Sequence, residues 1–242
     1  QPQINLNDGT LIGYEALLRW KHPEKGFIPP SEFIPVAEDS GLILPLGEWV
    51  LRHACRDIKQ FRKEGLLPNS GHVAVNISPR QFHDPNLVTV IKDMIDSAGI
   101  ESSHLQVEIT ENLLMENVEA TIATLNLLKE LGIILAIDDF GTGYSSLNYL
   151  KRLPIHVLKV DRSFVMDIPA DKDDMEITSA VIAMAHKLGL TVVAEGVEII
   201  EQADFLKENQ CDFAQGFYYG KPMSVADLYK HIGNVERWRS SG

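Results

Sequence analysis

The sequence predicts an α/β fold of the modified TIM, or (β/α)8, kind, with a first strand antiparallel to the rest. Three observations predict it. Short apolar runs alternate with longer helical patterns along the chain, which implies parallel strands joined by right-handed crossovers. Eight such strands in 242 residues suit a single barrel. Polar residues stand at the downstream end of nearly every apolar run. Strands converging on one mouth explain this better than an open doubly wound sheet, which gathers a site from only a few strand ends.

Taken in order, Gln3 to Leu6 is the first strand candidate, and Asn7-Asp8-Gly9 reads as a hairpin turn because Asp-Gly tolerates positive φ. The next strand runs from Leu11 to about Trp20, so the first two are antiparallel. Pro45 to Phe61 carries Leu46, Val50, Leu51, Ala54, Ile58 and Phe61 at helical spacing. Asp84 is expected to cap a helix from Pro85 to Ala98, with Pro85 at its first position. Helices follow over Glu116 to Leu131 and Met175 to Leu188, ended by Gly132 and Gly189, then over Ile199 to Glu208 and Ser224 to Arg237. The remaining strands end near Ser78, Thr110, Phe140, Arg162, Val197 and Tyr219. No repeat or interdomain linker is evident, so residues 1–242 are expected to form one domain.

The 22 basic and 34 acidic residues leave a net charge of -12, which argues against a nucleic-acid polymer or an anionic membrane surface as the main partner. A small phosphate substrate stays open, because a bound cation overrides the global field locally. Cys55 and Cys211 form no CxxC pair, so neither a disulfide framework nor a zinc ribbon is indicated and a cytoplasmic setting fits. No apolar run approaches the roughly 20 residues of a membrane span. The chain starts at Gln1-Pro2 without an initiating Met. It is therefore expected to be a fragment of a longer protein, whose missing N-terminal part could carry a membrane anchor.

The strand-end residues carry the chemistry. Glu15, Asn76, the pair Asp138-Asp139, Asp161 and Glu195 each follow an apolar run, and Glu108 sits near the end of Leu105-Gln106-Val107-Glu108-Ile109. Any one of them alone could be a solvated strand-end acid. Together in one mouth they repel and are costly to dehydrate, a conflict that hard divalent cations resolve. Oxygen-only donors favour magnesium or manganese over zinc or copper. Lys159 lies two residues before Asp161 and so on the same strand face. It could orient a nucleophilic water and stabilise phosphoryl charge, serve as a counter-ion to Asp161, or do both. Asp139-Phe140-Gly141 also matches a kinase signature, but the catalytic loop, phosphate loop and Ala-Pro-Glu that accompany it in kinases are absent. Gly141 and Gly143 read instead as hinges of a loop, with Tyr144-Ser145-Ser146-Leu147 opening a helix. His53, His156 and His186 fall away from the expected mouth, and Cys211 reads as a buried filler.

These motifs together resemble the EAL-domain cyclic-di-GMP phosphodiesterases. The resemblance begins at Glu15-Ala16-Leu17-Leu18-Arg19-Trp20. It continues through Val75-Asn76-Ile77-Ser78, Glu108-Ile109-Thr110-Glu111 and the run from Asp138 to Leu147, and closes with Leu158-Lys159-Val160-Asp161, Glu195-Gly196-Val197-Glu198 and Gln215-Gly216-Phe217. It implies a barrel with a reversed first strand and two-metal hydrolysis of cyclic di-GMP to linear pGpG. It implies that Glu15, Asn76, Glu108 and Asp138 bind one ion, and that Asp138, Asp139 and Glu195 bind the second. Catalytic roles fall to Lys159, which contacts the attacking water, to Glu195, and to Asp161 and Gln215, which support bound waters. Leu18 and Arg19 contact substrate, and Glu111 anchors the loop after Asp139. The implied cofactors are two Mg2+ or Mn2+ ions, with Ca2+ failing to support turnover. The implied partners are cyclic di-GMP and a second copy of the chain, joined through the loop and helix after Asp139. Some members of the family are catalytically silent cyclic-di-GMP receptors. That alternative stays open, as does a different metal-dependent barrel enzyme that stabilises an enolate.

Overall fold

The computed structural model describes residues 1–115, 117–143 and 147–235. The chain opens as strands β1 (Pro2–Asn5) and β2 (Leu11–Ala16), followed by a ribbon of β3 (Trp20–His22) and β4 (Gly26–Ile28). Next come α1 (Pro30–Ser40), α2 (Ile43–Glu64), β5 (His72–Asn76), the short α3 (Pro79–Phe82), α4 (Leu87–Ala98), β6 (Leu105–Thr110), α5 (Val118–Glu130) and β7 (Ile134–Phe140). The chain continues through α6 (Leu147–Leu150), β8 (Val157–Val160), α7 (Lys172–Lys187), β9 (Thr191–Ala194), α8 (Ile200–Glu208), β10 (Phe213–Gln215) and α9 (Val225–Val235).

Among the described residues a closed barrel runs in the order β1-β10-β9-β8-β7-β6-β5-β2. Strand β1 is antiparallel to both of its neighbours, and the other ladders are parallel. The expected reversal of the first strand therefore holds. Its cause is the Asn7-Asp8-Gly9 turn: Gly9 sits at φ +69, its N–H reaches the Asn5 carbonyl at 2.8 Å, and the Asp8 carboxylate accepts the Thr10 N–H at 2.9 Å. The outer helices bury apolar faces against the strands, with Ile58, Ile91, Leu125, Ile182 and Leu206 all inaccessible to solvent. Burial of such side chains contributes about 1.5–3 kcal/mol each.

Several boundaries differ from the sequence reading, each for a local reason. The strand expected to reach Trp20 stops at Ala16, where its ladder with β5 ends. Trp20 instead starts the β3–β4 ribbon and packs edge-on against Phe33. The sequence reading names no helix at 30–40, where the structure has α1. Pro30 sits near the helix start, where no N–H is needed, and Pro35 is accommodated inside α1. Asp84 is not the cap of α4. Its carboxylate turns the chain by accepting the Asn86 N–H at 2.8 Å, and the helix begins two residues past Pro85, at Leu87. Helix α7 starts at Lys172, earlier than its first apolar residue suggests, because Asp171 caps it. Glu116, residues 144–146 and Arg237, all named in the sequence reading, lie outside the described residues. No helix among the described residues is long and apolar enough to cross a membrane.

Gly13 marks a close approach in the β2–β5 ladder. A Cβ there would lie 2.4 Å from the His72 carbonyl oxygen, so Gly13→Ala forces the two strands apart. The expected cost is about 1–3 kcal/mol of stability, read as a lowered melting temperature. An unchanged melting temperature would refute this packing.

Candidate metal centre

The inward faces of the strands repeat every second residue, and the register aligns their ends. Asn76 of β5 pairs with Glu108 of β6, and Thr110 with Asp138 of β7. Glu15 and Glu195 arrive from β2 and just past β9. These placements bring Glu15, Glu108 and Asp138 together, and likewise Asp138, Asp139 and Glu195. In each trio the carboxylate oxygens can lie within 4.8 Å of one another.

Asp138 and Asp139 are adjacent in a strand, so regular alternation would send their side chains to opposite faces. The β7–β8 register shifts between Ile137 and Phe140, and Asp139 adopts φ +55, a left-handed conformation that costs free energy in a non-glycine residue. Its N–H bonds the Asp138 carboxylate at 2.9 Å. This distortion allows both carboxylates to serve the same trio.

Lys159 is fully buried beneath the rim. Its Nζ lies 2.6 Å from Glu108, 2.7 Å from Glu195, 3.1 Å from Asp138 and 3.7 Å from Glu15. The reading of Lys159 as a counter-ion to Asp161 is therefore corrected, since its ion partners are these four carboxylates. The Asp161 carboxylate instead accepts the N–H and hydroxyl of Ser163 and stands beside Asp139. Asn76 Nδ2 donates to Glu15 Oε1 at 2.7 Å, and Gln215 donates to Glu15 Oε2. Gln106 donates to Glu108 at 2.7 Å.

Five carboxylates around one ammonium leave an excess of negative charge, and the protonation equilibria reflect it. Burial alone would lower the Lys159 pKa, but Glu108, Glu195, Glu15 and Asp138 hold it well above the usual lysine range. Burial pushes Glu108 well up despite Lys159, and pushes Glu195 up to about 7. Burial, followed by Asp138 and Asp161, raises Asp139 to about 6. For Glu15 burial is outweighed by Lys159 and the Gln215 and Asn76 hydrogen bonds, so it lies below the usual range. The donor set fits two hard divalent cations that share Asp138: it consists of oxygens, it is electron-rich, and it retains protons that a cation would displace. Cation affinity is accordingly expected to weaken as pH falls from about 8 to about 6, by up to roughly tenfold per pH unit for each proton displaced. Calorimetric Mn2+ titrations in buffers of different ionisation enthalpy measure both the trend and the protons released. An affinity independent of pH would contradict it.

The other expected residues lie around this centre. Arg19, just past the end of β2, is exposed, donates to the Leu18 carbonyl at 2.9 Å, and borders a cavity of about 490 Å3 with Phe27, Ile28, Pro29 and Pro30. Glu111 is buried and accepts the N–H groups of Gly141 at 2.8 Å and Gly143 at 3.3 Å. The histidines set aside in the sequence reading stay away from the rim: His53 bonds the Trp49 carbonyl, His156 the Leu135 N–H, and His186 Asp212. Cys55 and Cys211 are buried and unbridged. The sequence reading missed the buried polar residues Gln3, His72 and Gln106 inside the barrel. Period-two spacing could have found two of them, since Gln106 lies two residues before Glu108 and His72 four before Asn76.

The sequence pattern of the EAL domain matches residues 1–222. A cyclic di-GMP phosphodiesterase, NbdA of Pseudomonas aeruginosa, is 49% identical over 232 residues, which make up 96% of this chain and 29% of that protein. The cyclic di-GMP phosphodiesterase PdeR of Escherichia coli is 42% identical over 238 residues, 98% of this chain and 34% of that protein. The chain thus spans about a third or less of the length of these two relatives. A solved structure of PaMucR phosphodiesterase in complex with c-di-GMP superposes with a TM-score of 0.91 at 44% identity, covering 94% of this chain and 92% of that one.

Proposed function

We propose, from the premise that this chain belongs to the EAL-domain family, that it hydrolyses cyclic di-GMP to linear pGpG. The observation that carries this reading is the pair of carboxylate trios sharing Asp138, with Arg19 four residues past Glu15 in the sequence. Glu15, Glu108 and Asp138, with Asn76, would hold one cation, and Asp138, Asp139 and Glu195 the second. Divalent cations bound there lower the pKa of a water and offset charge on phosphoryl oxygens. Arg19 offers a guanidinium fork to a substrate phosphate, next to the Leu18 backbone, and the cavity lined by Phe27, Ile28, Pro29 and Pro30 has room for a nucleoside.

Lys159 fixes the orientation of four carboxylates and is assigned to direct the attacking water toward phosphorus. The new P–O bond forms as the P–O3′ bond breaks, and the departing O3′ takes up a proton. Glu195, as a ligand of the second cation and an ion partner of Lys159 at 2.7 Å, would hold that ion and the ammonium beside the attacking water. Asp161 and Gln215 brace Asp139 and Glu15. Mg2+ or Mn2+ suits this oxygen-only set, whereas Ca2+, with longer and looser bonds, is expected to bind without supporting turnover.

The homodimer joined through the loop and helix after Asp139 belongs to the same proposal. Within one chain, Glu111 ties the start of that loop to the end of β6. A cytoplasmic setting accords with the two unbridged cysteines. The reading of residues 1–242 as one catalytic unit of a longer signalling protein accords with the length of the relatives. Incubating the purified protein with cyclic di-GMP and Mg2+, Mn2+ or Ca2+, and separating the nucleotides, tests the function. Formation of pGpG with Mg2+ or Mn2+ is expected. Binding of cyclic di-GMP with no pGpG under any of these ions would make the chain a receptor.

A further inference from the structure

The barrel interior beneath the carboxylates has two halves. Toward β7, β8 and β9 it is apolar, built from Ala136, Val157 and Val193 with Ile134 and Phe213 packed against them. Toward β1, β5 and β6 it holds Gln3, His72 and Gln106, all buried. Polar groups cost free energy in such a place unless their hydrogen bonds are made, and an aliphatic side chain would fill the space at no such cost.

Gln106 donates separately to Glu108 and its Oε1 has no hydrogen-bond partner among the described residues, whereas the hydrogen bonds of Gln3 and His72 run in one direction. An ionised Glu15 can only accept, so Gln215 turns its amide nitrogen toward Glu15 Oε2 and uses its other N–H on Gln1 at 3.1 Å. Gln215 Oε1 then accepts from Gln3 Nε2 at 2.9 Å. Gln3 is left with its carbonyl oxygen facing His72 Nε2 at 3.0 Å, so that nitrogen must carry the hydrogen. Every orientation in the series is dictated by the carboxylate at its end. Burial and the nearby His104 hold the His72 imidazole down to about 4, which keeps it neutral, and the Gln3 carbonyl oxygen at Nε2 selects the tautomer.

We propose that His72 and Gln3 are positioning residues that act through Gln215 to hold the Glu15 carboxylate in its ligating orientation. This rests on the reading of Glu15 as a cation ligand. Groups that orient metal ligands carry a measurable share of the affinity, and this series extends that support through the barrel to the level of the β2–β5 ladder.

Nitrogen NMR of the metal-free protein labelled at histidine, combined with Mn2+ titration of variants, tests it. The His72 ring is expected as the Nε2–H tautomer, and the Nδ1–H tautomer would overturn the proposal. Gln3→Met and His72→Met keep the volume but remove the donors, and should weaken Mn2+ binding about tenfold. His72→Gln restores an N–H at the same reach and should stay within about twofold of the parent. Equal affinities in all variants, or His72→Gln as weak as His72→Met, would overturn it. Should a variant not fold, the tautomer of the parent still decides. A parent that binds Mn2+ in this pattern yet leaves cyclic di-GMP intact would sink the substrate reading and leave the positioning role standing. Normal pGpG formation with no affinity differences would do the reverse.

Discussion

Asp138→Ala is expected to abolish cyclic-di-GMP turnover and to remove both cation sites at once. Its carboxylate belongs to both trios at the rim, so no arrangement of the remaining acids restores either one in full. Bound cations supply several kcal/mol of transition-state stabilisation, and roughly 1.4 kcal/mol corresponds to tenfold in rate. A fall of at least about a thousandfold follows. Glu15→Ala and Asp139→Ala each touch one trio only, so each should lose one Mn2+ per chain where Asp138→Ala loses two. Counting bound Mn2+ by equilibrium dialysis alongside the rate separates the three. Retention of one tightly bound ion in Asp138→Ala would mean that the trios are independent.

Lys159→Met is expected to separate turnover from cation binding. The ammonium lies within 3.7 Å of four carboxylates, and it is the cation of that cluster among the described residues. Removing it leaves buried acids without their counter-charge, a change that costs about 3–5 kcal/mol when one partner of a buried pair is lost. The metal-free variant should therefore melt well below the parent. A divalent cation meets less repulsion once the ammonium is gone, so Mn2+ affinity should be unchanged or higher, and added Mn2+ should recover much of the lost stability. Turnover should still fall by about 100- to 1,000-fold, the scale of losing one preorganised donor. If Mn2+ affinity instead collapses in step with the rate, Lys159 serves only to assemble the ligands.

The legible parts of the fold were those fixed by period and punctuation. Alternating apolar runs and helical patterns led to the barrel, and the Asn7-Asp8-Gly9 turn led to the reversed first strand. Glu15, Asn76, Glu108, Asp138 and Glu195 were recognisable as rim residues because each stands at or near the downstream end of an apolar run. What escaped depended on geometry that no local pattern encodes. Asp139 joins Asp138 through a register shift and a left-handed φ, where strand alternation alone would part them. Lys159 stands close in sequence to Asp161, yet its partners come from four other strand ends that only barrel closure brings near. Helix α1 carries Pro30 near its start and Pro35 inside it, residues that ordinarily interrupt a helical pattern, and the start of α4 moved because Asp84 bonds the Asn86 N–H. Gln3, His72 and Gln106 read as ordinary strand residues until the inward face of each strand was known.

The proposed hydrolysis needs two cations that share Asp138 beside a cyclic dinucleotide. Anomalous diffraction from crystals grown with Mn2+ and cyclic di-GMP tests that most directly. Two manganese peaks are predicted, both within bonding distance of Asp138, one also touching Glu15 and Glu108 and the other Asp139 and Glu195. A single peak, or ions bound away from Asp138 with the nucleotide elsewhere on the surface, would contradict it.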